Sequence, residues 1–297
     1  MTKIKKSYIF IPLLITVLLI VVGITVLVAG DPNEIMIHTG NEFVRFLEHG
    51  ADQPGKTAIL CADIRLDDPF DPVELACELD GNGHTLTVKD TGIPSLFSAV
   101  TETGAVRNLV LAGKEGSTDL PVTAGIALQN HGTIENCVIG ADFSGNGFIC
   151  GVCYTNNGTV LNCFVRSRDR ADTVRRYVSH PICAENDGSV KGCYYSETMT
   201  GDYDTVGTHA TEDEIGSGKV TEALNEYAEA DPGLVGWKND ENGLPTLRSA
   251  DSMQTASVFS SGNGVFLVCI VVMIVTVPIV TIVYADRQKK KIVYDKN

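Results

Sequence analysis

The chain is short of several things. It has one Trp in 297 residues, and its histidines and cysteines never fall at zinc-finger spacing. Away from its two ends it is also short of positive charge. Residues 31–264 hold 15 of the 23 basic side chains and 35 of the 37 acidic ones, a net of −20. A segment that acidic repels phosphate backbones, which excludes nucleic-acid binding by broad electrostatic attraction. Apolar residues are not scarce. At 44% hydrophobic against 20% charged, the chain can bury a core, which excludes a disordered polymer.

Two long apolar runs stand at the ends. Residues 8–29 carry no charge and are preceded by Lys3, Lys5 and Lys6; residues 265–284 are followed by Arg287, Lys289, Lys290 and Lys291. At about 1.5 Å per residue, each run covers the ~30 Å hydrocarbon layer of a bilayer. The basic residues lie on the outer side of each run, so both chain ends are expected in the cytoplasm. The organisation this predicts is an N-terminal signal anchor or signal peptide over 1–30 and an extracytoplasmic domain over 31–250. A linker over 251–264, a transmembrane helix over 265–284 and a basic cytoplasmic tail over 285–297 complete it. If the first run is a signal peptide, the small residues favour a cut after Gly30. Both alternatives leave the middle of the chain outside a cell membrane.

Within that middle the sequence repeats. Aligned on Gly104, Gly132, Gly158 and Gly188, the columns agree. Two residues on come Val106, Ile134, Val160 and Val190; five on, Leu109, Cys137, Cys163 and Cys193; seven on, Leu111, Ile139, Val165 and Tyr195. Two residues before come Glu102, Asn130, Asn156 and Asn186; five before, Ala99, Ala127, Cys153 and Cys183. Each unit holds two short β-forming stretches meeting at an Asn/Gly corner, where glycine permits unusual backbone angles. No helix fits between the strands. A unit this small buries its apolar side only by stacking, like above like at ~4.8 Å. Asn130, Asn156 and Asn186 are then expected to form an amide ladder, and Cys137, Cys163 and Cys193 a column of thiols beside it. The pattern predicts an all-β fold: a short parallel β-helix of about five coils.

The segments Asp63-Ile64-Arg65-Leu66, Leu79-Asp80-Gly81-Asn82-Gly83-His84-Thr85-Leu86 and Ala105-Val106-Arg107-Asn108-Leu109 resemble the opening of GLUG-motif, pectate-lyase-like surface proteins of gut bacteria. The units from Gly125 to Cys137 and from Asn157 to Cys163 resemble GLUG repeats, and Cys193-Tyr194-Tyr195 with Leu244-Pro245-Thr246-Leu247 resembles the closing module. The resemblance spans about residues 35–248. It implies a right-handed β-helix on a bacterial surface and no particular reaction.

The ends of the coil also read locally. Residues 41–49 form an amphipathic helix stopped by Gly50 and expected to cover the N-terminal end. Thr211-Glu212-Asp213-Glu214 is a capping-box pattern, and 220–227 continues as a second helix. Trp237 and the strand 244–247 are expected to close the other end.

Candidate chemistry is sparse. Cys150-Gly151-Val152-Cys153 is a CxxC on a strand, without the second ligand pair zinc needs or the helix start a redox site needs. Stacked cysteines on parallel strands sit ~4.8 Å apart, too far for a relaxed disulfide, so core thiols are expected; Cys61 and Cys77, outside the repeat, make the best-placed pair. Asp63, Asp67, Asp68 and Asp71 crowd one loop, as acids do in related lyases, but no acidic column runs through neighbouring coils. No cofactor and no metal is called for. Two features suggest binding. An outward stripe six after the glycine reads Val110, Val138, Phe164 and Tyr194, apolar becoming aromatic, suited to sugar rings unless the C-terminal module covers it. The only basic cluster is Arg166, Arg168, Arg170, Arg175 and Arg176 in an inter-coil loop. The expected role is a membrane-anchored, surface-exposed interaction or adhesion module for a glycan or a surface protein. The alternative is a polysaccharide lyase or hydrolase.

Overall fold

A computed structural model describes residues 31–249 apart from 90–91, 113–115, 119, 141–142, 146–147, 167–179 and 197–205. The two apolar runs and the basic tail lie outside the described residues. Among the described residues no helix is long and apolar enough to cross a membrane. Residues Asp31–Ala250 form one unit, and its architecture is a parallel β-solenoid.

Each turn of chain visits three sheets. The first has seven strands, from Glu34–Ile37 at one edge to Ser189–Lys191 at the other; the second has seven, from Ile64–Leu66 to Thr208–His209. The third has five, from Glu74–Leu75 to Glu185–Asn186, and marks about five complete turns. Every pairing within these sheets is parallel, as it must be when the chain re-enters each one from the same side. Among the described residues the one antiparallel pair is the hairpin Trp237–Asn239 with Pro245–Leu247.

Register follows the apolar columns. In the first sheet Ala58, Leu79, Val106, Ile134 and Val160 stack and are fully buried, flanked by the half-buried Ile35 and Val190 at its two edges. In the second, Ile64, Leu86, Leu111, Ile139, Val165 and Tyr195 do the same. The helix α1 (Gly40–His49) starts in a capping box. Thr39 Oγ1 accepts from the Glu42 amide, while the Glu42 carboxylate accepts from the Thr39 amide. Its apolar stripe, Phe43, Phe46 and Leu47, is buried in the same core.

The corner glycines earn a different explanation from the one their sequence suggests. None of the four has a left-handed backbone. What they provide is closeness. A Cβ on Gly132 would lie 2.2 Å from the carbonyl oxygen of Gly104, one on Gly158 2.3 Å from that of Gly132, and one on Gly188 2.2 Å from that of Gly158. The left-handed positions are taken instead by Asn82, Asn108, Asn136 and Asn162, at φ between 49° and 54°, and by Gly192 at 61°. Asparagine tolerates that region better than other side chains do, because its amide bonds locally.

The glycine alignment also slips in one coil. Ala127 pairs with Phe97 and Asn130 with Val100, not with Ala99 and Glu102. Val100 stands four residues before its glycine and Asn130 two before its own, so the earlier turn is two residues longer. That length moves Glu102 into the turn, where it is exposed.

Candidate binding surface

The expected ladder forms. Asn130 Nδ2 donates to Asn156 Oδ1 at 2.8 Å, and Asn156 Nδ2 to Asn186 Oδ1 at 2.7 Å. Asn130 Oδ1 has no partner, because the apolar Val100 occupies the next position along the column. Asn130 and Asn156 are fully buried, whereas Asn186 is exposed on the last strand of its sheet.

A second ladder lies at the left-handed corners. Asn162 Nδ2 donates to Asn136 Oδ1 at 2.8 Å, Asn136 Nδ2 to Asn108 Oδ1 at 2.8 Å, and Asn108 Nδ2 to Asp80 Oδ1 at 3.0 Å. Asp80 also accepts from the Asn82 amide at 2.7 Å, so this aspartate holds a turn and terminates the ladder. The signal was present as an asparagine four residues after Gly104, Gly132 and Gly158.

This second ladder ties down the C-terminal module, which comprises α2 (Glu212–Gly216), α3 (Lys219–Ala228) and the hairpin. Asn108 donates to the Gly233 carbonyl, Asn136 to that of Val235 and Asn162 to that of Leu224, at 3.0, 2.8 and 3.1 Å. Trp237 Nε1 donates to Asn136 Oδ1 at 2.7 Å. The module therefore lies along the flank of successive coils, which corrects the expectation that Trp237 and strand 244–247 close the far end. The physical reason is the outward stripe. Val110, Val138 and Phe164 form a second core with Ile215, Val220, Leu224 and Trp237, and Tyr194 packs beside it.

That placement changes the reading of the candidate residues. Phe164 is fully buried and Tyr194 half-buried, so the stripe is no open sugar platform. Burying it stabilises the fold by roughly 2–3 kcal/mol per large side chain. Arg166 Nη1 pairs with Asp240 of the module at 2.7 Å, both mostly buried, and serves as a strut. Arg168, Arg170, Arg175 and Arg176 lie outside the described residues. Glu135 in the same region is 6% exposed and is held by Arg107 Nε at 3.2 Å and Tyr227 Oη at 2.8 Å. Burial, followed by that carboxylate, pushes the Tyr227 hydroxyl up to about 12.

The cysteines of the repeat lie in the core. Cys137, Cys163 and Cys193 are buried thiols, and each Sγ lies 3.1–3.4 Å from the carbonyl oxygen two residues back. Cys77 is likewise a thiol, so the Cys61–Cys77 bridge does not form. Burial pushes Cys77 up to about 11 and Cys150 up to about 12. Hydrogen bonding to Cys183, followed by burial, lifts Cys153 well above the usual thiol range. The CxxC thus lacks the thiolate that redox chemistry requires. Among the described residues no group of histidines, cysteines and acids is arranged to hold a metal.

The acids of the 63–71 loop separate. Asp63 accepts from the Thr85 amide at 2.8 Å and faces His84 Nδ1 at 3.3 Å, while Asp67 pairs with Arg65 at 2.7 Å. His84 is 3% exposed and belongs to this turn.

Among the described residues one flank stays open. On the outer side of the third sheet Gln129, Thr155 and Glu185 stack in register, with Tyr154 beside them. Thr155 Oγ1 donates to Glu185 Oε2 at 3.0 Å, Tyr154 Oη to Glu185 Oε1 at 3.5 Å, and the His131 ring lies 3.3 Å from the Gln129 amide oxygen. Burial, then the Glu185 charge, raises the Tyr154 hydroxyl. The polar column three residues before each glycine, Gln129, Thr155 and Glu185, was the signal for it.

Comparison with known proteins adds little. No protein-family model matches the chain, and no curated protein does. Among solved structures it is similar to a protein from Bacteroides ovatus provisionally described as an immunoglobulin A1 protease, at 16% identity, covering 72% of this chain and 91% of that one, with a TM-score of 0.40. A score of 0.40 carries no argument about function.

Proposed function

We propose that the chain is a membrane-anchored, surface-exposed protein whose β-helix, right-handed and closed at its N-terminal end by α1, acts as a non-catalytic interaction or adhesion module with a glycan as ligand. Membrane anchoring rests on the two apolar runs with basic outer flanks; the handedness and surface role rest on the GLUG-like segments. The observation that carries the ligand class is the open third-sheet flank. An aromatic ring, a carboxylate, an amide and a hydroxyl there share one rigid surface. Sugars are recognised by such a set, with the ring under the apolar face of the pyranose and the polar groups on its hydroxyls.

The test is a glycan array probed with segment 31–262, followed by titration of the strongest ligand. Binding that falls at least tenfold in Tyr154→Ala, with an unchanged thermal midpoint, is the expected result. Turnover of a polysaccharide in place of stable binding makes the chain a lyase or hydrolase. Binding indifferent to Tyr154 and Glu185 removes this flank as the site.

A further inference from the structure

We infer that the groove between strand Glu34–Ile37 and helix α1 binds an extended acidic peptide segment, which adds a strand to the open edge of the first sheet. This goes beyond the glycan reading and concerns a different surface.

Among the described residues, strand Glu34–Ile37 has a neighbour on one side only. The Thr57 amide donates to the Asn33 carbonyl and the Cys61 amide to that of Ile37, at 2.9 and 2.8 Å. In a parallel ladder this assigns residues 33, 35 and 37 to the neighbour and turns the N–H and C=O of Met36 the other way. There they face a groove of 360 Å³ lined by Ile35, Met36 and Ile37. Three consecutive strand residues line it, so the groove follows the backbone edge and not one face of side chains. Phe46 of α1 also lines it. Met36, at 50% exposure, is the large hydrophobic side chain left exposed among the described residues. The outward amides of Glu34 and His38 are taken by the Asp31 carbonyl and the Glu42 carboxylate at 2.9 and 2.7 Å, so the edge offers a peptide the N–H and C=O of Met36 and the C=O of Glu34. Such an edge beside exposed apolar surface is the arrangement by which sheets accept a peptide.

Charge selects the occupant. The groove contains Arg45, His49 and Lys56, and Arg45 and Lys56 have no carboxylate partner among the described residues. Its one carboxylate, Glu42, accepts from the amides of His38 and Thr39 at 2.7 and 3.1 Å and stays charged, so Arg45 and Lys56 leave the groove net positive by one. The His38 amide, above all, holds the Glu42 carboxyl below its usual range. In a segment of net charge −20, two unpaired cations beside an open strand edge favour a carboxylate-bearing partner. A groove of 360 Å³ between a strand and a helix has room for one extended segment of a few residues. It has none for a whole coil of a second copy.

The experiment uses the full chain in detergent and fluorescein-labelled peptide probes read by anisotropy. Glu-Val-Glu-Val-Glu-Val is expected to bind at least tenfold more tightly than Lys-Val-Lys-Val-Lys-Val, and to lose at least tenfold in the double variant Arg45→Glu, Lys56→Glu. N-methylation of alternate amides in the acidic peptide removes the edge hydrogen bonds and is expected to abolish binding. Tyr154→Ala is expected to leave it unchanged. Equal binding of both peptides, or undiminished binding of the N-methylated one, overturns the proposal. So does concentration-dependent dimerisation in sedimentation that disappears in the double variant, since the groove would then be filled by a second copy. A far-ultraviolet spectrum and thermal midpoint matching the parent keep a folding defect of the double variant from passing as a positive result.

Discussion

Two ladders of asparagine run along this solenoid, and the same side chain does different work in each. In the ladder of Asn130, Asn156 and Asn186, the amides bond to one another and to backbone of the next coil, and the last member is exposed. In the ladder of Asn108, Asn136 and Asn162, each amide also donates to a carbonyl of the C-terminal module. The first ladder fastens coil to coil. The second fastens coil to coil and the coils to a covering layer, with every member buried at a left-handed corner. The worth of a ladder position therefore depends on what covers it and on how many partners its loss strands.

Substitutions can break that comparison. Asn136→Ala should have the largest effect. It leaves Trp237 Nε1, the Val235 carbonyl and the neighbouring amides without a partner, and places alanine at a φ of 54°. A loss of about 5 kcal/mol in urea unfolding of segment 31–250 is expected, enough to unfold a marginal domain. Phe164→Ala should follow at about 3–4 kcal/mol, because it opens a cavity in the second core. In the first ladder, Asn156→Ala should cost about 2 kcal/mol, and Asn186→Ala, at the exposed end, about 0.5 kcal/mol or less. Equal losses for Asn136 and Asn156 would show that the covering layer adds nothing to the second ladder.

The smallest effect concerns pH. The Lys219 amino group, then the Thr211 amide and hydroxyl, hold the Glu214 carboxyl down to about 2. A carboxyl depressed in the folded state contributes stability above its ordinary range and loses it as the pH falls toward about 2. The pair is solvent-exposed, so the contribution is small. Thermal melts of the parent and Glu214→Gln should differ slightly at pH 6 and converge at pH 2; a gap that persists at pH 2 would assign the effect to the capping hydrogen bonds and not to the charge.

Much of this was legible in the residues. The inward columns at 106, 134, 160 and 190 and the ladder of 130, 156 and 186 follow from spacing alone, because stacking forces like residues into like positions; the capping box at Thr211 marks the start of α2 by local chemistry. The slip at Ala99 and Glu102 was hidden, since alignment on a glycine cannot register a turn two residues longer. The stripe of Val110, Val138 and Phe164 was visible, but whether it faces solvent depends on residues about 50 to 130 positions further on. The open flank of Gln129, Thr155 and Glu185 was the least legible part. Polar residues pointing outward look alike in sequence whether they form a site or a solvated wall.

The column of corner glycines has a consequence for how such a chain can change over time. Because each of these positions rests on the carbonyl of the floor beneath, a side chain introduced at any storey would prise two storeys apart. The separation between storeys is thereby locked at these corners, while the number of storeys is not. Duplicating a whole turn would bring its own glycine and meet an identical seat, which makes gain or loss of complete turns the easiest way for this architecture to vary in length.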